Sequence, residues 1–147
     1  MVRYLRRALW LALVALVIAQ AFRIDKTNPP VQQDVGAAPE VAAVLRRACY
    51  DCHSNETVWP WYSNVAPVSW LLAHDVHEGR RKLNFSIWNT YDAKKQTKKL
   101  KETAEEVAEG EMPPWYYRVV HHDAGLSQAD TKLLRTWTAE AKVKLGH

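Results

Sequence analysis

The sequence predicts a mainly α-helical fold, a small helical domain with long loops behind a hydrophobic N-terminal helix. Three observations carry that reading. Apolar residues recur at helical spacing in several separate segments. No segment shows strand-length alternation, and no internal repeat is present. Stretches marked by Gly, Pro and Asn separate the helical segments. With 147 residues, 48% apolar and 24% charged, the chain has the composition of one globular domain plus an appendage.

The first 24 residues, "MVRYLRRALWLALVALVIAQAFRI", combine a basic start (Arg3, Arg6, Arg7) with an uncharged apolar run from Ala8 to Ala19. Ala19-Gln20-Ala21 fits the small-x-small rule for cleavage after Ala21. The run is short for a spanning helix, which needs about 20 residues. Phe22 and Ile24 would extend it if it stays as an anchor. Residues 1–24 are therefore expected to be a signal peptide or a membrane anchor. The arginines stay cytoplasmic and the remainder is exported to the periplasmic side of the inner membrane. Removing residues 1–21 takes away three arginines and leaves 17 basic and 16 acidic side chains. The basic pI then loses its force as a sign of nucleic-acid binding, and none is expected.

Residues 25–39, "DKTNPPVQQDVGAAP", read as a linker. A helix begins near Glu40, with Val41, Val44, Leu45 and Ala48 at i, i+3, i+4, i+7, and runs into Cys49. "SNETVWPWYSNVAP" is a loop. The next helix spans about Val68 to Glu78, carries Trp70, Leu71 and Ala73, and stops at Gly79. Residues 92–109 form the most polar helix, with a narrow stripe of Leu100, Ala104, Val107 and Ala108. Its lysines crowd the first half and its glutamates the second, against the helix dipole. A solvated face is the ordinary cause of such a run. Gly110 ends this helix, and the prolines of "EMPPWYY" exclude regular structure. Ser127 caps the last helix, with Leu126 as a staple, Asp130 at N3, and Leu133, Leu134 and Trp137 on its inner face.

The chain has only two cysteines, and both lie in "CYDCH": Cys49, Cys52 and His53. Cys-x-x-Cys-His is the attachment signature of c-type haem. One helical turn brings both sulfurs to the two vinyl groups on one porphyrin edge, and the next residue projects an imidazole under the iron. The rivals are weaker. A redox dithiol wants a βαβ setting, which is missing. A zinc site wants a fourth ligand, and adjacent Cys52 and His53 suit one tetrahedral ion poorly. A disulfide across two residues closes almost no loop. The expected cofactor is one covalent haem c with iron, held in residues 40–147. Haem would supply much of the core, so the domain is expected to be loose without it.

The sixth iron position decides between electron transfer and ligand chemistry. The candidates are Met112, His74, His77, His121, His122 and His147, or an open site. Met112 stands in "GEMPP", where Gly110 and two prolines hold an extended loop able to lay a thioether on a flat ring. His53 and Met112 are the expected iron ligands. Trp59, Trp61 and Tyr62 are candidate haem-edge partners through indole N–H or hydroxyl bonds, as are Arg80 and Arg81 by charge. Surface or core packing is the commoner role for each.

"CYDCHSNETVWPWYSNVAPVSWLLAHDVHEGRRKLNFSIW" together with "EGEMPPWYYRVVHHDAGLSQADTKLLRTW" resembles the bacterial haem-binding domain family of exported monohaem c-type cytochromes. The resemblance covers about residues 40–140. It implies a cytochrome c-like domain with haem c on Cys49, Cys52 and His53. "GEMPP…LS…W" also resembles the distal loop and last helix of class I cytochromes c, which implies the methionine-ligand role for Met112. The long "WPWY…LNFSIW" middle is absent from minimal cytochromes. The expected function is haem binding and electron transfer with His/Met ligation, as a carrier rather than an enzyme, toward redox partner proteins of the periplasm or inner membrane. The alternative is a haem-based sensor or peroxidase-like protein with an exchangeable sixth ligand.

Overall fold

The computed structural model describes residues 1–146, and they are helical as expected. The order is α1 (Val2–Ala19), α2 (Pro39–Ala48), α3 (Tyr50–His53), α4 (Val68–Lys82), α5 (Ala93–Glu109), α6 (Trp115–Val120) and α7 (Gln128–Leu145), with short 3₁₀ turns between. Among the described residues the sole extended pairing is an isolated bridge between Gln33 and Ile87.

The core lies where α2, α5 and α7 meet. Val41, Val44, Leu45, Tyr50, Phe85, Val107 and Leu134 form one buried cluster, and Leu126 and Trp137 pack on its edge. A second cluster of Trp88, Tyr91 and Leu100 lies about two turns nearer the start of α5, on the same face as Val107. Caps fix the helix ends as the sequence suggests. Asp92 accepts from Lys95 N at 2.7 Å at the start of α5, and Gly110, at φ 76°, closes its end. Ser127 and Asp130 form a reciprocal capping box at the start of α7. The guanidinium of Arg47 bonds Gly125 O at 2.9 Å and pairs with Asp130 at 3.1 Å, tying α2 to that cap.

Four expectations change. Gly79 does not stop α4, which continues to Lys82. Its role is closeness: a Cβ there would sit 2.4 Å from the carbonyl oxygen of Cys52. "EMPPWYY" is not wholly irregular, because Pro114 serves as the N-cap of α6, where its missing N–H costs nothing. Phe22 and Ile24 do not extend α1, which ends at Ala19. Residues 25–39 are no free linker. Gln32 N and Trp88 N bond across to Ser86 O and Gln33 O at 2.9 and 3.1 Å, and Val35 and Ala37 pack on the core. Arg80 bonds Thr27 O, Asn28 Oδ1, Ser54 O and Thr57 Oγ1 at 2.7–3.0 Å, clamping this strap to the loop behind α3.

Helix α1 is exposed along nearly its whole length and has no buried residue. No helix among the described residues is long and apolar enough to cross a membrane. Its end is nonetheless fastened to the domain. The Gln20 amide bonds both the N–H and the carbonyl of Ala66, at 2.9 and 3.1 Å, and Trp70 Nε1 donates to Phe22 O at 3.1 Å.

Candidate functional site

Cys49 breaks the chain between α2 and α3: its φ of −127° ends one helix, and the turn Tyr50–His53 starts a second in a new direction. That turn carries Cys52 and His53 against α4. The contact is close because position 79 has no side chain. "LNFS" wraps the other side of the turn. Phe85 N bonds His53 O at 2.8 Å, and the Phe85 ring stacks on Tyr50 with centroids 5.3 Å apart. Asn84 Nδ2 donates to Asn55 Oδ1, and Asn55 N donates to Ser86 Oγ, at 2.8 and 2.9 Å. The Tyr50 hydroxyl bonds Asp34 at 2.5 Å, so the strap supports the turn as well.

His53 is oriented by the end of α4. Its Nδ1 lies 3.0 Å from Gly79 O and 3.1 Å from Leu83 O. An Nδ1–H that donates to these carbonyls leaves the Nε2 lone pair free for a metal. Burial lowers the His53 pKa against those two hydrogen bonds, and the nearby ammonium groups of Lys82 and Lys99 lower it further. The ring is therefore held as the neutral, ligating form.

A two-lobed cleft opens beside this turn. The larger lobe, about 420 Å³, is lined by Cys49, His53, Leu83, Phe85, Val107 and Met112, together with the charged Lys82, Lys99, Glu102 and Glu106. The smaller, about 290 Å³, adds Cys52, Leu72, Gly79, Pro113, Pro114, Tyr116 and Tyr117. Cys49, His53, Lys82 and Met112 line both lobes. The cleft has the size and mostly apolar lining of a cofactor site.

Met112 reaches it through the end of α5. The N–H groups of Glu111 and Met112 turn back on Glu106 O at 3.1 and 3.4 Å, and two prolines follow. The Met112–Pro113 peptide is cis. Among the other sixth-ligand candidates, His74 lines the smaller lobe and His77 a separate cavity. His121 is stacked on Tyr117 with centroids 4.1 Å apart and lies 2.5 Å from the Tyr62 hydroxyl. His122 is exposed in the turn before α7. His147 lies outside the described residues.

The expected aromatic partners lie elsewhere. Trp59 lines the separate cavity beside Arg80, with its buried Nε1 unpartnered. Trp61 is 78% exposed, edge-on to Tyr62. None of Trp59, Trp61 and Tyr62 lines either lobe. The reason for Trp59 is the face of α4 it meets: it lies with Ala73, Val76, His77 and Arg80, whereas Leu72, Asp75, Gly79 and Lys82 line the cleft. Arg80 is occupied by the strap and Arg81 by Glu78. The aromatic wall comes instead from α6. Tyr117 donates to Asp51 Oδ2 at 2.7 Å and Tyr116 to Asp75 Oδ2 at 3.2 Å, which pins α6 over the Cys-x-x-Cys turn. Gly79, Tyr116 and Tyr117 carry no motif that marks them in the sequence.

The donor set fits haem better than its rivals. Both thiols are free, and burial pushes each up to about 12, so neither is the low-pKa thiolate of a redox dithiol. No group of three or more His, Cys, Asp or Glu among the described residues is arranged to hold a metal ion. Two neutral thiols, a tautomer-fixed imidazole and a thioether instead border one apolar cleft. The family profile described as a haem-binding domain matches residues 14–140. No curated protein and no solved structure matches the chain significantly.

Proposed function

The chain belongs to the haem-binding domain family and binds haem, and on that premise we propose that it is an exported monohaem c-type cytochrome that transfers electrons. Cys49 and Cys52 would hold the group covalently through their sulfurs. His53 Nε2 and Met112 Sδ would be the protein's two ligands to its iron. The bound group supplies one-electron chemistry. The chain holds its ligands fixed, excludes water with Phe85, Leu72 and the α6 tyrosines, and raises the potential through a thioether ligand. One observation carries this reading: His53 and Met112 border both lobes of the same cleft, with the imidazole pre-aimed by two carbonyls. The three arginines and apolar run of α1 support export; the proposed location is the periplasmic side of the inner membrane, and the proposed partners are redox proteins there.

The test is an optical spectrum with extraction. Acid–acetone leaves the haem on the wild-type chain and strips it from a Cys49→Ser, Cys52→Ser double variant. The oxidised protein shows the sulfur-to-iron charge-transfer band, and Met112→Ala abolishes it. If the band is missing from the wild type and the reduced protein binds carbon monoxide at once, the sixth site is exchangeable and the sensor or peroxidase-like reading replaces this one.

A further inference from the structure

Helix α5 has a run of lysines, and one of them points inward. The side chains of Lys98 and Lys101 are 70% and 67% exposed, that of Lys99 only 15%. It lines the larger lobe of the cleft, beside Glu102, Thr103 and Glu106 of its own helix, with His53 and Lys82 facing it from α3 and α4. A buried ammonium is costly without partners. Lys99 Nζ has three donors and an ion pair to Glu102 at 2.6 Å, and Lys98 also approaches that carboxylate, at 3.6 Å. Its position spends donor capacity on a cavity.

We propose that Lys99 seats a propionate carboxylate of the bound haem in the larger lobe, with Lys82 of α4 lining the same lobe. The proposal rests on the haem reading of this cleft. Charge chooses the lobe. The smaller lobe sets Asp51 and Asp75 against Lys82, with His74 beside them and Glu78 paired to Arg81, an environment that repels carboxylates. The larger sets Lys82 and Lys99 against Glu102 and Glu106, and Glu102 is already neutralised by its lysines. The thiols agree with this direction. Cys52 borders the smaller lobe alone, so the thiol-bearing edge lies toward it and the propionate edge away from it. A partly desolvated ammonium–carboxylate pair is stronger than one in water.

The experiment compares haem-loaded wild type with Lys99→Met, Lys99→Arg and Lys98→Met. Resonance Raman reads the propionate bending band, and the midpoint potential is followed against pH. In Lys99→Met the bending band shifts or disappears. The propionate-linked step in the potential moves to higher pH, because a carboxylate that loses a neighbouring cation binds its proton more tightly. Lys99→Arg keeps both signatures and Lys98→Met changes neither. Glu102→Gln gives a second reading should Lys99→Met fail to fold: removing the competing carboxylate moves the step to lower pH. A loaded protein in which these signatures ignore Lys99 and Glu102, or respond equally to Lys98, overturns the seat alone. A wild type without any haem absorption overturns the underlying reading.

Discussion

The core between α2, α5 and α7 and the cleft beside α3 are neighbours built to opposite rules. The core is closed by the chain's own atoms: Leu45 and Leu134 are fully buried, and Phe85 lies flat on Tyr50. The cleft collects groups that ordinary packing would not leave facing a void: two thiols, a half-buried imidazole, a thioether and an inward lysine. Both regions share the Tyr50–His53 turn, with Tyr50 facing the core and Cys52 and His53 facing the cleft. The difference separates two kinds of stability, one written into the polypeptide and one completed by a bound group.

Three substitutions sharpen that division. Leu45→Ala opens a cavity in the closed region and costs about 2–5 kcal/mol. Chemical denaturation reads the loss, while the haem spectrum of the folded fraction stays that of the wild type. An altered spectrum would erase the boundary between the two regions. Gly79→Ala drives a methyl into the Cys52 carbonyl at a cost of about 1–3 kcal/mol. Here the spectrum does change, because α4 carries the carbonyls that aim His53. A spectrum identical to wild type would mean that Gly79 only packs. Trp61→Ser, on the exposed aromatic face, alters stability by no more than about 0.5 kcal/mol and leaves the spectrum alone. A shifted spectrum would return "WPWY" to the haem.

What was legible in the sequence follows range. Local signals held: the spacing of Val41, Val44 and Leu45, and the caps at Asp92, Gly110 and Ser127. Features set by distant partners did not announce themselves. Gly79 looked like a helix terminator because its reason, the Cys52 backbone, lies 27 residues earlier. The strap looked like a linker because its hydrogen-bond partners are Ser86 and Trp88. Lys99 was one letter in a solvated charge run, since no periodicity reveals which lysine a cavity will claim. "WPWY" misled because abundance of aromatics says nothing of which face of α4 they meet.

The fastening of Gln20 to Ala66 and of the strap to Arg80 has a consequence for encounter. A domain on a loose leash samples every orientation and can meet a partner from any side. Here the end of α1 and the strap are both bonded to the domain, so an α1 anchored as proposed would also set the compass bearing of the cleft. The redox partners proposed above would then meet a cleft of fixed bearing, and encounter would depend on geometry rather than on tether length.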